Sequence, residues 1–240
     1  MTKIVNKQNI KIFFQERANT HDKNNPLKSV IYQDKNPSLA KKRDKFEKKK
    51  IYKILGLSRS DVVLDIACGI GRWADLISKV VKKYVGIDYM DDFIKIAKKN
   101  HINNKKVHFI CADGTQLYNS KVNYHSPYTI ILISGFFVYI NKKDSYEVLR
   151  QILKVSCDKT KIIIREPIGV KKEIILDNVW SEEMETYYSA RYRTQKEFKK
   201  MFKDVLFKEG YELFVDERLY PQNLNNRKDT AHHLFCLKKD

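Results

Sequence analysis

Between Asp61 and Glu166 short apolar runs alternate with stretches of helical period, and that rhythm restricts the chain to an open, largely parallel sheet covered by helices on both faces. The runs predict strands at Val62–Ala67, Tyr84–Asp88, Val107–Cys111, Thr129–Ser134 and Lys161–Glu166. Between them Ile70, Trp73, Ala74, Ile77 and Val81 recur at helical spacing, as do Val148, Leu149, Ile152 and Leu153, so each set predicts the buried face of a helix. Two last apolar runs, Tyr211–Leu219 and Thr230–Leu237, are joined by an Asn- and Pro-bearing link without helical period. Such neighbours are expected to pair antiparallel.

The rhythm breaks at both flanks. Residues 1–57 are polar and lysine-rich, with a helix expected over Ser38–Leu55, and are read as an N-terminal cap; residues 58–240 are read as the main domain. Within that domain 167–193 is a long polar-aromatic stretch, expected as an insertion that overhangs the sheet as a substrate lid.

Composition narrows the function classes. The formal net charge of +18 invites a nucleic-acid reading, but the excess is mostly lysine, and arginine, which forks onto phosphate and base edges, is scarce. The densest basic run, 41–50, also holds Asp44 and Glu47, as expected of a solvated helix. The balance is therefore against a nucleic-acid partner, with an RNA-binding cap as the alternative. Cys68, Cys111, Cys157 and Cys236 form no C-x-x-C pair, and no His/Asp/Glu cluster has metal-ligand spacing, so no metal is expected. The longest apolar stretch, Thr129–Ile140, is shorter than the roughly 20 residues of a membrane-spanning helix, and no basic, apolar leader opens the sequence; a cytoplasmic protein without a membrane partner is expected.

The chemistry concentrates where strands end. Val62-Val63-Leu64-Asp65-Ile66 runs into Ala67-Cys68-Gly69-Ile70-Gly71, an apolar strand closing on an acid before a glycine-rich turn. Gly69-x-Gly71-x-x-Ala74 with Asp88 also fits a dinucleotide fingerprint, but a carboxylate at the strand tip would repel a pyrophosphate. S-adenosylmethionine carries no phosphate, and its ammonium and sulfonium want a counter-charge such as Asp65. Asp88 ends the second strand, where a carboxylate accepts from two ribose hydroxyls, and Asp113 follows the third, where it accepts from an adenine amino group. Each acid alone fits a helix N-cap equally well. Three of them, at successive strand ends, mark the ligand-binding rim of an open α/β sheet.

On these residues, 60–166 resemble the class I S-adenosylmethionine-dependent methyltransferases. The resemblance implies a Rossmann-like, seven-stranded, mostly parallel sheet with one antiparallel strand, helices on both faces and an N-terminal helical cap. It also implies a cofactor site in which Asp65, Ala67, Gly69 and Gly71 hold the methionine moiety, Asp88, Tyr89 and Met90 the ribose, and Asp113 and Gly114 the adenine. Ser134, after the fourth strand, borders the reacting centre. Ala67 departs from the family's usual first glycine.

The acceptor is read from what surrounds that centre. Ser134-Gly135-Phe136-Phe137 lacks the Asp/Asn-Pro-Pro-aromatic signature of base-amino methyltransferases, and no Pro-Cys nucleophile is present. The insertion supplies Trp180, Tyr187, Tyr188, Tyr192, Arg191 and Arg193, and the fifth strand ends on Arg165 and Glu166. An aromatic wall with guanidinium groups suits a small anionic metabolite; the alternative is that the arginines pair with Glu182, Glu183 and Glu185. Tyr32, in the cap, joins Arg165, Tyr188, Tyr192 and Arg193 as expected substrate contacts. Glu166, Tyr139, His21 and Asp34 are candidate bases, and Arg43 is expected either on the cofactor carboxylate or in solvent; His125, His232 and His233 are read as structural. The N-terminal segment is similar to the cap of bacterial small-molecule methyltransferases, including those of the O-methyl phosphoramidate group of capsules. The expected function is methyl transfer to a small polar, phosphorylated or sugar-linked metabolite, with RNA methylation as the alternative. Oligomeric state is left open.

Overall fold

The computed structural model of the chain describes residues 4–32 and 35–239. Two helices come first, α1 (Lys7–Asn19) and α2 (Pro37–Leu55). Helix α2 starts where Asn36 accepts from the Leu39 N–H with Pro37 behind it, and stops at Gly56, whose φ of 55° a side chain would disfavour. The alternating region follows as β1 (Val62–Ile66), α3 (Ala74–Ile77), β2 (Lys83–Asp88), α4 (Asp91–Asn100), β3 (Val107–Cys111), β4 (Tyr128–Ser134), α5 (Lys142–Val155) and β5 (Ser156–Gly169). The chain then forms a hairpin, β6 (Ile174–Ser181) and β7 (Thr186–Tyr192), a helix α6 (Gln195–Val205), and the strands β8 (Tyr211–Arg218) and β9 (Thr230–Lys239).

Strand order is β3-β2-β1-β4-β5-β9-β8, seven strands in which β9 alone runs against both neighbours. The expected α/β sheet is therefore present. Helix α3 is shorter than the apolar stripe around it, because Gly71 sits at φ 81° and the turn it makes has to finish before helical bonding begins. Ile70, Trp73, Ala74, Ile77 and Val81 are nonetheless all buried. Strand β5 runs past Glu166 because β9 pairs with it as far as Gly169. The insertion is a two-stranded hairpin outside the main sheet.

Period-two burial in the strands divides the core. Leu64 and Ile66 face α5 and α6, while Val63 faces α2, α3 and α4. Ile51 and Leu55 of α2 are fully buried on that second face, each contributing roughly 1.5–3 kcal/mol. The run 41–50 is thus half a core element: its lysines face water, but Arg43 and Glu47 are buried with Ile51. A third cluster joins Phe13 and Phe14 of α1 to Phe93 of α4 and to Tyr188 and Tyr192 of β7. That cluster roofs the carboxyl ends of β1 to β5. Among the described residues no helix is long and apolar enough to cross a membrane.

Candidate active site

One cavity follows the strand ends from β3 to β9 beneath α1 and β7. At its first end lies the glycine-rich turn. Ala67, Gly69 and Gly71 all take positive φ, at 61°, 53° and 81°. A Cβ on Gly69 would lie 2.9 Å from Val30 Cγ1 of the cap, so glycine there lets cap and turn close on the same space. Asp88 spans the turn from the next strand: its two oxygens accept from the Gly69 N–H at 3.0 Å and the Met90 N–H at 2.9 Å.

Asp65 is fully buried, with Oδ2 accepting from Tyr84 Oη at 2.5 Å and Oδ1 without a hydrogen-bond partner. Burial pushes its pKa up to about 7 and that of Asp88 up to about 6. Two carboxylates kept out of water at a cavity wall, one with an unmatched oxygen, suit a ligand that brings positive charge and hydroxyl donors. A pyrophosphate would add charge of the wrong sign. Asp113 lines the same cavity while its Oδ1 caps the turn 114–116, accepting from Thr115 N and Oγ1 at 2.8 Å each. The N-cap and cavity readings of this acid therefore coexist. Ala67, Gly69, Tyr89, Gly114 and Ser134 line the cavity too; Gly71 and Met90 do not, Gly71 being packed under Phe109 and His101 and Met90 lying in the core with its backbone on Asp88.

Arg72, which sequence reasoning passed over, borders the same end. Its guanidinium donates to Asp44 at 2.7 Å, Glu47 at 2.6 Å and Ser134 Oγ at 3.4 Å, putting a cation beside the anionic pair where a carboxylate end of a ligand would be met. Its place after Gly71 was the available signal, and nothing local distinguishes it from a surface arginine.

At the other end Tyr188 and Tyr192, two of the four aromatics expected as a wall, line the cavity with Tyr32 and Tyr139, the Tyr139 and Tyr188 hydroxyls 3.1 Å apart and that of Tyr192 3.4 Å from Tyr188. Trp180 and Tyr187 do not join it; they stack edge-on to each other, half-exposed, on the outside of the hairpin. Arg165 does join it. Its Nε and Nη2 are held by Glu47 and Tyr220, and Nη1 lies over the β4 turn, 3.6 Å from where a Cβ on Gly135 would be. Arg43 lines the wall buried, donating to Leu224 O at 2.7 Å and Asn226 Oδ1 at 2.9 Å, so it is not the solvent-facing residue that was one of its two expected roles.

Three expected contacts are corrected by this geometry. Arg193 is buried away from the cavity, bonded to Phe137 O, Ile140 O and Ser145 Oγ, because its strand turns into α6 there and its guanidinium fills the carbonyls of the loop below. Glu166 does not line the cavity; its carboxylate accepts from the backbone N–H groups of Phe136, Phe137 and Val138 at 2.6, 3.0 and 3.2 Å. It holds the loop after β4 and is no proton acceptor for a ligand, although burial pushes its pKa up to about 7. His21 lies beyond the cavity wall with Nδ1 on Ser29 Oγ at 3.0 Å. Tyr139 does face the cavity, but burial among other tyrosines raises its pKa well above the ordinary value, which leaves it a donor rather than a base. Asp34 lies outside the described residues. Nor do the insertion's arginines pair with Glu182, Glu183 or Glu185: Arg191 meets Glu173, and Glu185 meets Lys35. Among the described residues no three His, Cys, Asp or Glu side chains are grouped to hold a metal.

Residues 63–157 match the family model of a methyltransferase domain. Phosphoethanolamine N-methyltransferase 1 of Triticum aestivum is 30% identical over 132 residues, 54% of this chain and 26% of that protein. Among solved structures, Haemonchus contortus phosphoethanolamine N-methyltransferase 1, in complex with phosphoethanolamine and S-adenosylhomocysteine, superposes with a TM-score of 0.70 at 15% identity, over 100% of this chain and 50% of that one. Burkholderia thailandensis 1,6-didemethyltoxoflavin-N1-methyltransferase, bound to 1,6-didemethyltoxoflavin and S-adenosylhomocysteine, gives 0.68 at 11% identity, over 100% and 93%. The chain thus spans 26% of the length of the first relative and half of the first structure, and has the fold of these enzymes.

Proposed function

We propose that this chain, built on a methyltransferase domain that uses S-adenosylmethionine, transfers a methyl group to a small polar acceptor that carries an anionic group. The single observation that carries this reading is the continuity of the cavity: the carboxylates Asp65, Asp88 and Asp113 line one end and the tyrosines and arginines Tyr188, Tyr192, Arg165 and Arg43 the other. When bound, S-adenosylmethionine supplies an electrophilic methyl group on a sulfonium. Asp65, with its unmatched oxygen, and Arg72 fit the ammonium and carboxylate of the methionine end. Asp88 and Asp113 fit ribose and adenine donors.

The chain's own contribution is alignment and dryness. Phe14 and Tyr139 meet edge to face at 4.9 Å and, with Tyr188, close the roof over the loop after β4, where water would compete with the acceptor. Glu166 fixes that loop by three backbone hydrogen bonds. Arg165 presents Nη1 to the acceptor end and Arg227 reaches the same end from the loop between β8 and β9, which favours a phosphate, phosphoramidate or carboxylate. The phosphoethanolamine named for two relatives supports a phosphorylated acceptor.

The test is a transfer assay with methyl-labelled S-adenosylmethionine against phosphorylated amines, phosphoramidates, nucleotide sugars and bulk RNA, beside calorimetry of cofactor binding. Label is expected in a small anionic compound. Label in RNA with a steep salt dependence, or no binding of S-adenosylmethionine, overturns the reading.

A further inference from the structure

Among the described residues, the acceptor end of the cavity contains an imidazole and no carboxylate. The lining carboxylates are Asp65, Asp88 and Asp113 at the cofactor end and Asp144 at the rim, where it pairs with Lys7 at 3.1 Å. His232 is the one lining histidine among the described residues, on β9 opposite Pro167. Other histidines are engaged: His101 with Asp75 at 3.0 Å, His233 with Asp216 at 2.8 Å, His125 stacked on His108, and His21 on Ser29. His232 is not. Its Nδ1 is buried without a hydrogen-bond partner, and its ring meets the Tyr220 ring at 5.1 Å. An imidazole kept at a cavity wall with no structural bond to make is available to a ligand.

We propose that His232 is the general base of the transfer, taking the proton of an acceptor hydroxyl or amine as that heteroatom attacks the methyl carbon. The assignment rests on the methyltransferase reading above. The heteroatom's lone pair forms the new bond to carbon, the carbon–sulfur pair remains on sulfur, and the heteroatom's proton moves to a ring nitrogen of His232. One sulfonium is consumed and one imidazolium forms, which then returns its proton to solvent. Of the other described candidates, Glu166 and His21 do not face the cavity, and Tyr139 faces it as a hydroxyl donor.

The surroundings suit the role. Burial, then Arg165 of β5 and Arg43 of α2, hold the imidazole uncharged, so a nitrogen lone pair is present at neutral pH; Arg227 acts in the same direction, and Glu47 of α2 opposes them. An oxyanion docked among these arginines offsets their charge and raises the basicity of the ring. The base is therefore strengthened by the very acceptor that it serves.

Two measurements on the full chain test this. By NMR, His232 is expected to titrate well below the ordinary histidine value in phosphate-free buffer, and to rise by about one pH unit or more with saturating inorganic phosphate. A value unmoved by phosphate overturns the proposal. His232→Gln and His232→Asn are expected to bind S-adenosylmethionine as the parent does in calorimetry. With the acceptor found by the label screen, kcat should fall about 10²–10⁴-fold and the acid limb of its pH profile should vanish. Unchanged kcat with intact cofactor affinity also overturns it. Failure of the parent chain to bind S-adenosylmethionine counts against the methyltransferase reading, and the phosphate titration then decides the state of His232 by itself.

Discussion

Arg165 of β5 and Glu47 of α2 meet in a buried pair, Nε and Nη2 of the arginine donating to Oε2 at 2.9 and 2.8 Å. Tyr220 donates to the same oxygen at 2.6 Å and Arg72 to Oε1 at 2.6 Å. One carboxylate thereby fastens α2 to the turn after β1, to β5 and to the loop between β8 and β9. Burial alone would raise its pKa, but Arg165 and Arg72, with the Tyr220 hydroxyl, hold it well below the usual carboxylate range.

Removing that charge leaves the Arg165 guanidinium buried without its counter-ion, while Arg72 keeps Asp44. Glu47→Gln is therefore expected to lower stability by about 3–5 kcal/mol, read as an earlier midpoint in urea unfolding. A loss below about 1 kcal/mol would show that the pair is as weak as an exposed one.

On the proposed function, Asp65 is expected to make cofactor affinity depend on pH. Its pKa near 7 in the ligand-free protein means that a cationic ligand must first displace a proton below that pH. Affinity for S-adenosylmethionine is expected to weaken up to about tenfold between pH 7 and 6, where Asp65 titrates ahead of Asp88, and to level off above 7, and Asp65→Asn to abolish the slope in that interval. Without ligand the sign reverses: the unfolded chain loses this proton near pH 4, so the fold loses stability as pH rises from about 4 to 7. Calorimetry and urea unfolding across this range read the two effects.

Arg193→Ala is expected to unfold the protein earlier rather than to alter acceptor recognition selectively. Phe137 O, Ile140 O and Ser145 Oγ lose their donors in a buried site, a cost of roughly 3 kcal/mol or more. Burial, with Arg191 adding to it, already lowers this guanidinium's pKa to about 10, so it is a structural cation held at some cost. Full stability with a raised KM for the acceptor would return Arg193 to the substrate site.

Two substitutions in the glycine-rich turn should act in opposite directions. Ala67 occupies a left-handed conformation that disfavours a Cβ by about 1–2 kcal/mol, so Ala67→Gly relieves strain that the greater freedom of the unfolded glycine partly offsets. The thermal midpoint is expected to hold or rise. Gly69→Ala sets a Cβ 2.9 Å from Val30 Cγ1, and is expected to push the cap off the turn and weaken cofactor binding at least tenfold.

Periodicity and strand ends are local properties, and they determined much of this protein from the sequence alone. Alternation along Val62–Ile66 and the stripe through Trp73 and Ile77 follow from residue spacing, and a carboxylate that closes a parallel strand lies on the rim wherever the strand sits in the sheet. The placement of Asp65, Asp88 and Asp113 along one cavity was therefore legible before any coordinates. Only the tertiary structure decided which charged side chains are buried and with whom. Glu47 and Tyr220 are 173 positions apart, and Arg193 reaches back 56 positions to Phe137. Such pairs leave no periodic trace, because a run of lysines around one buried glutamate reads like any solvated helix. The same holds for His232, whose lack of a partner is a property of what packs around it, set by where β9, the Tyr220 ring and the arginines of three separate segments converge.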